Sequence, residues 1–239
     1  MRIAVISDIH GNLAALEAAL ADIHTRAPDL IVNLGDCVTS PAWPRETMEL
    51  LESLALPTVR GNHDRVLGVQ RHRDSNPTVE FAAASLAHTQ IETLASLPPT
   101  LRIDDVLCVH GTPERDAEYL LEEKRDGRLA RLPTREVAKR LGDMSASLVL
   151  CGHSHTQNCV QVGADCLVLN PGSVGFPRYA GDDDIANTEG GSPHVHYAIA
   201  TRRGKRWSAE LAVLDYDWTP VAERVRANGF AHWSDAFTR

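Results

Sequence analysis

The chain has 239 residues, of which 43% are hydrophobic and 23% are charged. This composition is typical of a globular protein and excludes a collagen-like or wholly disordered chain. The formal net charge of −8 excludes a broad electrostatic interaction with nucleic acid or anionic lipid, so a phosphate-bearing partner needs a local positive site. No stretch approaches the roughly 20 apolar residues of a membrane helix. The first apolar run is too short for a signal peptide, and we therefore expect a cytoplasmic protein.

Five cysteines occur, an odd number without a closely spaced pair: Cys37, Cys108, Cys151, Cys159 and Cys166. This pattern argues against a disulfide framework and against a thiolate zinc site. We expect reduced and mostly buried thiols.

Short apolar runs alternate with amphipathic stretches in the first part of the chain. Residues 3–7, 30–34 and 57–60 predict buried strands, and residues 11–24 and 44–54 carry apolar side chains at helical spacing. Residues 78–97 predict one further amphipathic helix, which Pro98 and Pro99 end. This alternation favours an α/β architecture with parallel strand pairs.

The rest of the chain is richer in predicted strands. We place them at residues 105–109, 148–151, 158–162, 166–169, 195–201 and 206–214, with helices at 135–141 and 220–228. Gly229 is expected to cap the last helix. Two mixed sheets packed face to face and flanked by helices account for this order, which is a four-layer α/β/β/α sandwich. We expect a single domain over residues 1–239.

Two segments stand apart by composition. Residues 114–131 contain six acidic and five basic side chains, which predicts a solvated helix, or a segment that overhangs the site and selects substrates. Residues 178–192 are rich in glycine and include Asp182, Asp183 and Asp184, so we predict a mobile solvated loop. The three adjacent aspartates lack the ligand spacing of a calcium-binding loop.

Polar side chains follow five of the predicted strands directly. They are Asp8 and His10, Asp36, Asn62 with His63 and Asp64, His110, and His153 with His155. Taken alone, each group is a common turn or helix cap. Because the carboxyl ends of strands in an open α/β sheet meet at one crevice, we expect these side chains to converge there.

The converging residues provide carboxylate, amide and imidazole ligands without sulfur. Such a set suits manganese, iron, cobalt, nickel or zinc better than magnesium or calcium. Seven of these side chains are candidate ligands, which exceeds the needs of one ion and suits two ions about 3.5–4 Å apart with a bridging carboxylate. The seven are Asp8, His10, Asp36, Asn62, His110, His153 and His155. Two divalent cations outweigh the charge of Asp8 and Asp36, so we predict that the site binds a phosphoryl anion.

The ordered series of these motifs resembles the calcineurin-like metallophosphoesterases over residues 1 to about 175, including residues 170–173. This resemblance implies a β-sandwich between helices that holds two metal ions. By motif, it assigns Asp8, His10 and His155 to the first ion, Asn62, His110 and His153 to the second, and Asp36 to the bridge between them. It also implies that His63 faces the phosphate.

The three residues that follow Asn62 have different expected roles. His63 would donate a proton to the leaving group or bind a phosphoryl oxygen, unless it only supports a metal ligand. Asp64 would orient or cap neighbouring groups. Arg65 would bind a phosphate or form a surface ion pair.

We therefore expect a metal-dependent phosphoesterase that uses metal-bound hydroxide on a small phosphorylated substrate, with manganese among the candidate metals. The substrate class remains open among a phosphodiester, a dinucleoside polyphosphate and a phosphomonoester. Residues 35–40 lack the Asp-Arg pair of protein-phosphatase branches, which disfavours a phosphoprotein phosphatase. A non-catalytic metal-binding scaffold is the second alternative. Neither membrane association nor broad nucleic-acid binding is expected, and the sequence leaves the oligomeric state open.

Overall fold

The computed structural model describes residues 1–69, 76–126, 128–176 and 192–237. The strands are β1 Arg2–Ile6, β2 Leu30–Asn33, β3 Thr100–Ile103, β4 Val106–Val109, β5 Glu122–Arg125, β6 Arg128–Arg131, β7 Leu148–Leu150, β8 Asn158–Val162, β9 Cys166–Asn170, β10 Val195–Arg203 and β11 Arg206–Leu214. The helices are α1 Leu13–Thr25, α2 Pro44–Leu54, α3 Asn62–Val69, α4 Pro77–Ser85, α5 His88–Ser96, α6 Thr134–Leu141 and α7 Thr219–Ala227, followed by a 3-10 helix at Ala231–Phe237. The loop predicted at residues 178–192 lies outside the described residues, apart from Ser192.

Two mixed sheets form the centre of the molecule. The first has the strand order β11-β10-β1-β2, with β1 and β2 parallel and the other pairs antiparallel. The second has the order β3-β4-β7-β9-β8, in which β4, β7 and β9 run parallel and the edge pairs antiparallel. Parallel neighbours bring the carboxyl ends of several strands to the same side of each sheet.

Apolar side chains on both faces of each sheet divide the molecule into layers. Ile3 and Val5 of β1 pack with Cys108 of β4 and Leu150 of β7 in the core between the sheets. A second cluster joins the outer face of the first sheet to α1, and a third joins the outer face of the second sheet to α6. This arrangement confirms the predicted α/β/β/α sandwich.

Local sequence explains the first crossover between strands. The side chain of Asn12 accepts a hydrogen bond from the backbone N–H of Ala15 at 3.2 Å, which caps α1. Leu16, Leu20 and Ile23 lie on the buried face of that helix, as their spacing predicts. The helix therefore covers the sheet and returns the chain to β2, parallel to β1.

Two predicted helices are wrong. Residues 78–97 form α4 and α5 instead of one helix, because Leu86 is extended and Gln90 accepts a hydrogen bond from the backbone N–H of Ala87 at the start of α5. Residues 114–131 form a loop and the β5–β6 hairpin instead of a solvated helix. In the hairpin Glu122 pairs with Arg131, and such opposite charges favour cross-strand pairing.

The strand predicted at residues 57–60 forms only one bridge, between Asn33 and Thr58. α3, β3 and the final 3-10 helix were not predicted.

The cysteines are free, with Cys37, Cys108 and Cys151 buried, Cys166 half-buried and Cys159 exposed, so the expectation of mostly buried thiols is confirmed. Among the described helices, none is long and apolar enough to cross a membrane.

Candidate metal centre

The structure brings together all seven side chains that the sequence predicts as metal ligands. Six of them form two groups, and within each group the ligand atoms lie within 4.8 Å of one another: Asp8, His10 and His155 in the first, and Asp36, His110 and His153 in the second. The seventh, Asn62, lies beside the second group. The groups are assembled from the segments that follow β1, β2, β4 and β7 and from the start of α3.

The two histidines of the first group turn their Nε2 atoms toward the same point. Nδ1 of His10 lies 3.1 Å from the carbonyl oxygen of Thr39, and Nδ1 of His155 lies 2.6 Å from that of Phe176. Because a carbonyl oxygen only accepts, each Nδ1 carries the hydrogen and each neutral ring has its lone pair on Nε2. The two Nε2 atoms lie 3.2 Å apart. Asp8 Oδ1 lies 3.3 Å from Nε2 of His155 and is buried without a hydrogen-bond partner among the described residues, so these donor atoms fit a cation.

The second group repeats this arrangement. Nδ1 of His110 lies 2.8 Å from the carbonyl oxygen of Leu34, which leaves the lone pair on Nε2. That Nε2 lies 3.0 Å from Oδ1 of Asn62 and 3.3 Å from Oδ2 of Asp36. The same oxygen of Asp36 lies 3.8 Å from Nε2 of His10. Asp36 Oδ2 therefore lies between the two groups, and Asp8 Oδ1 likewise lies 3.9 Å from Nε2 of both His10 and His110.

Five of the seven residues have a left-handed backbone. The φ angle is 53° at Asp8, 46° at His10, 54° at Asp36, 67° at His153 and 55° at His155. Such a conformation costs roughly 1–3 kcal/mol in a residue other than glycine and clusters at functional sites. Only nine of the described non-glycine residues have it, so the strain is concentrated at this centre.

Two glycines allow close packing against the carboxylates. A Cβ atom at Gly61 would overlap the Oδ1 atom of Asp36, and one at Gly152 would overlap the hydroxyl of Ser7. That hydroxyl donates a hydrogen bond of 2.5 Å to Oδ2 of Asp8. Gly61 directly precedes Asn62 and Gly152 directly precedes His153, and these contacts give the steric reason for a glycine at each position.

Asp64 holds the backbone around Asp36, the residue predicted to bridge the two ions. Its Oδ2 accepts hydrogen bonds from the backbone N–H groups of Asp36 and Gly61, both at 2.9 Å, and its Oδ1 accepts one from Cys37 at 3.0 Å. Burial, together with the charge of Asp36, raises the pKa of Asp64 to about 6. These contacts are of the orienting kind that the sequence predicts for this residue.

The segment after β9 holds the loop of His153 and His155. The side-chain amide of Asn170 donates to the carbonyl oxygen of Gly152 at 2.7 Å and to the hydroxyl of Ser154 at 3.1 Å. The hydroxyl of Ser173 donates to the carbonyl oxygen of Asp8 at 2.7 Å. Sequence reasoning included residues 170–173 only as part of a family pattern. A polar run directly after a strand was the only signal of their role.

Charges at the centre fit the loss of protons to a metal. Burial lowers the pKa of His10 to about 3 and that of His153 to about 4, so both are neutral ligands near neutral pH. Burial acts in the same direction on His110, but Asp36 and Asp8 outweigh it and raise the pKa to about 10. The two carboxylates thus favour a positive charge here. A divalent cation held by these residues would supply that charge in place of the proton.

His63 lies beside the first group and outside both sets of ligand atoms. Its ring centroid is 5.1 Å from that of His10, with the ring planes at 87°. Its backbone N–H donates to Oδ1 of Asp36 at 2.9 Å. The side chain is half-exposed, so it can contact a substrate at the centre.

Arg65 forms an ion pair, one of the two roles that the sequence left open. Its Nε lies 2.6 Å from Oδ2 of Asp116 and its Nη2 lies 3.0 Å from Oδ1 of the same residue. This bidentate pair joins α3 to the segment that follows β4.

Residues 1–189 match the family model of the calcineurin-like phosphoesterase superfamily domain. The chain belongs to this superfamily. The resemblance that the ordered motifs carry is therefore confirmed. As a calcineurin-like phosphoesterase, the protein is a phosphoric ester hydrolase.

Three known proteins are similar to this chain over nearly its whole length. A metallophosphoesterase from Sphaerobacter thermophilus has 28% identity and a TM-score of 0.74, covering 98% of this chain and 97% of its own. The hypothetical protein PH1004 from Pyrococcus horikoshii shares the fold, with a TM-score of 0.75, 19% identity and coverage of 98% and 95%. The uncharacterized protein MJ0912 from Methanocaldococcus jannaschii is 29% identical, covering 97% of this chain and 94% of that protein. Similarity thus extends beyond the family match at residue 189.

Proposed function

We propose that this phosphoesterase hydrolyses a small phosphorylated molecule with two divalent metal ions. The position of Asp36 Oδ2 carries the proposal, since this one oxygen lies 3.8 Å from Nε2 of His10 and 3.3 Å from Nε2 of His110. The first ion would be held by Asp8, His10 and His155, and the second by Asn62, His110 and His153. Manganese, iron, cobalt, nickel and zinc all suit these oxygen and nitrogen donors.

Bound ions of this kind supply positive charge to the phosphoryl oxygens and lower the pKa of a water molecule, so that hydroxide is available near neutral pH. The chain fixes the geometry through its strand ends and excludes bulk water from the buried ligands. His63 gives a proton to the ester oxygen of the leaving group. One P–O bond forms to the attacking oxygen while the P–O bond to the leaving group breaks, and no bond to the protein forms.

The substrate is proposed to be a small molecule, not a phosphoprotein. The six residues from Gly35 to Ser40 lack the Asp-Arg pair that is typical of protein-phosphatase branches. A phosphodiester, a dinucleoside polyphosphate and a phosphomonoester all present a phosphoryl group that the metal centre can take. A scaffold without catalysis is disfavoured because every ligand position and His63 are filled.

Elemental analysis paired with steady-state kinetics tests this function. We expect two transition-metal ions per chain, and faster hydrolysis of an aryl phosphodiester or a dinucleoside tetraphosphate than of a phosphopeptide. Asp36→Asn should lose metal from both positions, and activity with it, because a neutral amide bridges poorly.

Two outcomes would contradict the proposal. A hundredfold preference for the phosphopeptide would support a phosphoprotein phosphatase. A chain that retains two ions but hydrolyses none of the esters would support the scaffold. Glu17→Gln, at an exposed position of α1, is the control, and it should keep both metal and activity.

A further inference from the structure

A cavity of about 1000 Å³ opens beside the second group of ligands. His153 forms part of its wall, and so does Tyr119, in the segment between β4 and β5. The ring centroids of these two residues are 4.7 Å apart, with the planes tilted by 31°. Pockets for drug-sized ligands measure about 300–1,000 Å³. The cavity therefore has room for a group much larger than a phosphate.

The cavity borders the second group of ligands, whereas His63 borders the first. The ring of His63 packs on His10 of the first group, whereas the ring of Tyr119 packs on His153 of the second. His63 is not among the residues that line the cavity. In an in-line displacement the general acid lies next to the leaving group. A group bound in the cavity is therefore the ester group that stays on phosphorus.

The cavity wall combines paired charges with apolar surface. Arg65 is neutralised by Asp116, at 2.6 Å, and the guanidinium of Arg140 donates to the carbonyl oxygens of Tyr119 and Glu122. The described residues of the wall include five basic and five acidic side chains, so they bring no excess of positive charge. Pro99, Pro113 and Ala117 add apolar contact. Such a wall suits an uncharged ring better than a second phosphate.

Resting on the function proposed above, we infer that the substrate is a phosphodiester whose retained ester group is aromatic and uncharged and binds in this cavity against Tyr119. Aromatic side chains stack on planar groups, including nucleobases, with little dependence on the identity of the ring. An aryl ester and a nucleoside ester share this chemistry. The retained group then contributes to specificity, while the metal centre binds the phosphoryl group.

A series of p-nitrophenyl phosphodiesters with one leaving group tests this inference. The second ester group is methyl, phenyl or 5′-thymidyl, so the leaving group is constant and only the retained group changes. In the manganese-loaded full chain we expect kcat/KM to be at least about tenfold higher for the phenyl or the thymidyl ester than for the methyl ester. Tyr119→Ala should reduce this ratio to within about threefold of one, and Tyr119→Phe should retain it.

Binding of phosphonates provides a readout that does not depend on turnover. Phenylphosphonate and methylphosphonate carry a C–P bond that hydrolysis does not cleave. At a pH where both are dianions, calorimetry should show at least about fivefold tighter binding of phenylphosphonate. Tyr119→Ala should remove that difference, while its metal content stays at the wild-type value.

Blocking the cavity from another wall gives an independent variant. Ala117 is exposed and lines the cavity, so Ala117→Trp should fold and should abolish the preference for the aromatic ester. Ala164→Trp places the same ring in the exposed turn between β8 and β9, and it should leave the preference unchanged.

The results separate the two proposals. Equal kcat/KM for the three esters, or a ratio that survives Tyr119→Ala, would overturn the cavity assignment while leaving the phosphoesterase function intact. Absence of hydrolysis would contradict the proposed function. In that case the phosphonates decide about the cavity, because equal binding of the two compounds would overturn it and tighter phenylphosphonate binding would support it.

Discussion

The metal centre and the cavity beside it are built in different ways. Asp8, Asp36 and His110 are at most 1% exposed and are hydrogen-bonded to backbone groups that follow neighbouring strands or begin α3. In the cavity wall, the side chain of Arg65 is 40% exposed and is held by its pair with Asp116. The chemistry of the reaction thus depends on positions that move only if the sheets move. In the inference made above, substrate selection depends on side chains that surface segments present.

This contrast predicts different consequences of mutation in the two regions. Exposed ion pairs contribute about 0–1 kcal/mol to stability, so the cavity wall can change with little effect on folding. Removing one partner from a buried network leaves a polar group without compensation, which costs about 1–3 kcal/mol or more. Variants in the centre should therefore affect metal or turnover strongly, and variants in the wall should affect stability or selectivity modestly.

The largest effect on turnover at unchanged metal content is expected at His63. A variant at this position distinguishes a reacting side chain from the metal ligands around it. His63→Ala should keep both ions and lower kcat by about 10²–10⁴, as expected for loss of a general acid. The loss should be larger for a poor alkyl leaving group than for p-nitrophenol, because a good leaving group needs no proton. Rates on both esters and elemental analysis measure this.

The control is His24→Ala, an exposed histidine at the end of α1. It should leave turnover and metal content unchanged. Loss of metal in His63→Ala, equal to that in Asp36→Asn, would show that His63 supports a ligand and does not react.

An intermediate effect is expected at Asp64. It tests whether a residue outside the two ligand groups positions Asp36, the proposed bridging ligand. Asp64→Asn replaces one acceptor oxygen by an amide that faces backbone N–H donors. We expect metal affinity to fall about 10–100-fold, as for other residues that orient ligands. Metal titration of the variant measures this. Asp29→Asn, at an exposed position before β2, serves as control, and equal affinity in both variants would exclude a supporting role for Asp64.

The smallest effect is expected at Glu122, at the border between the wall and the second sheet. Burial raises the pKa of this carboxyl, although Asn158 donates a hydrogen bond to it at 2.8 Å. A raised pKa in the folded state means that its contribution to stability is complete below the unfolded pKa and is lost as pH rises through the folded pKa. Relative to wild type, Glu122→Gln should therefore gain unfolding free energy between pH 4 and pH 8.

Urea unfolding at the two pH values measures this difference, with Glu123→Gln on the half-exposed neighbour as the control. A gain of the same size in the control would assign the effect to net charge and not to burial. The catalytic rate should change less in Glu122→Gln than in either variant of the centre.

The sequence predicted the seven ligand positions because each follows a short apolar run, and the ends of parallel strands converge. It predicted the layers for the same reason, since apolar residues on both faces of a strand require a cover on both sides. It did not predict the β5–β6 hairpin, because balanced charges at residues 114–131 suit an exposed helix as well as an exposed hairpin. Only the pairing of Glu122 with Arg131, above a cluster that includes Leu121 and Leu132, distinguishes the two.

By itself, the sequence determined the residue types at the centre, and with them the prediction of transition-metal ions and of a phosphoryl substrate. The tertiary structure alone decided which imidazole nitrogen faces the centre, because the carbonyl oxygens of Thr39, Leu34 and Phe176 that fix the tautomers come from distant segments. It also decided that Asp64 holds the backbone of Asp36 and that Tyr119 borders a cavity. Local patterns specify strands and helices, whereas contacts between residues far apart in the chain depend on how the layers pack.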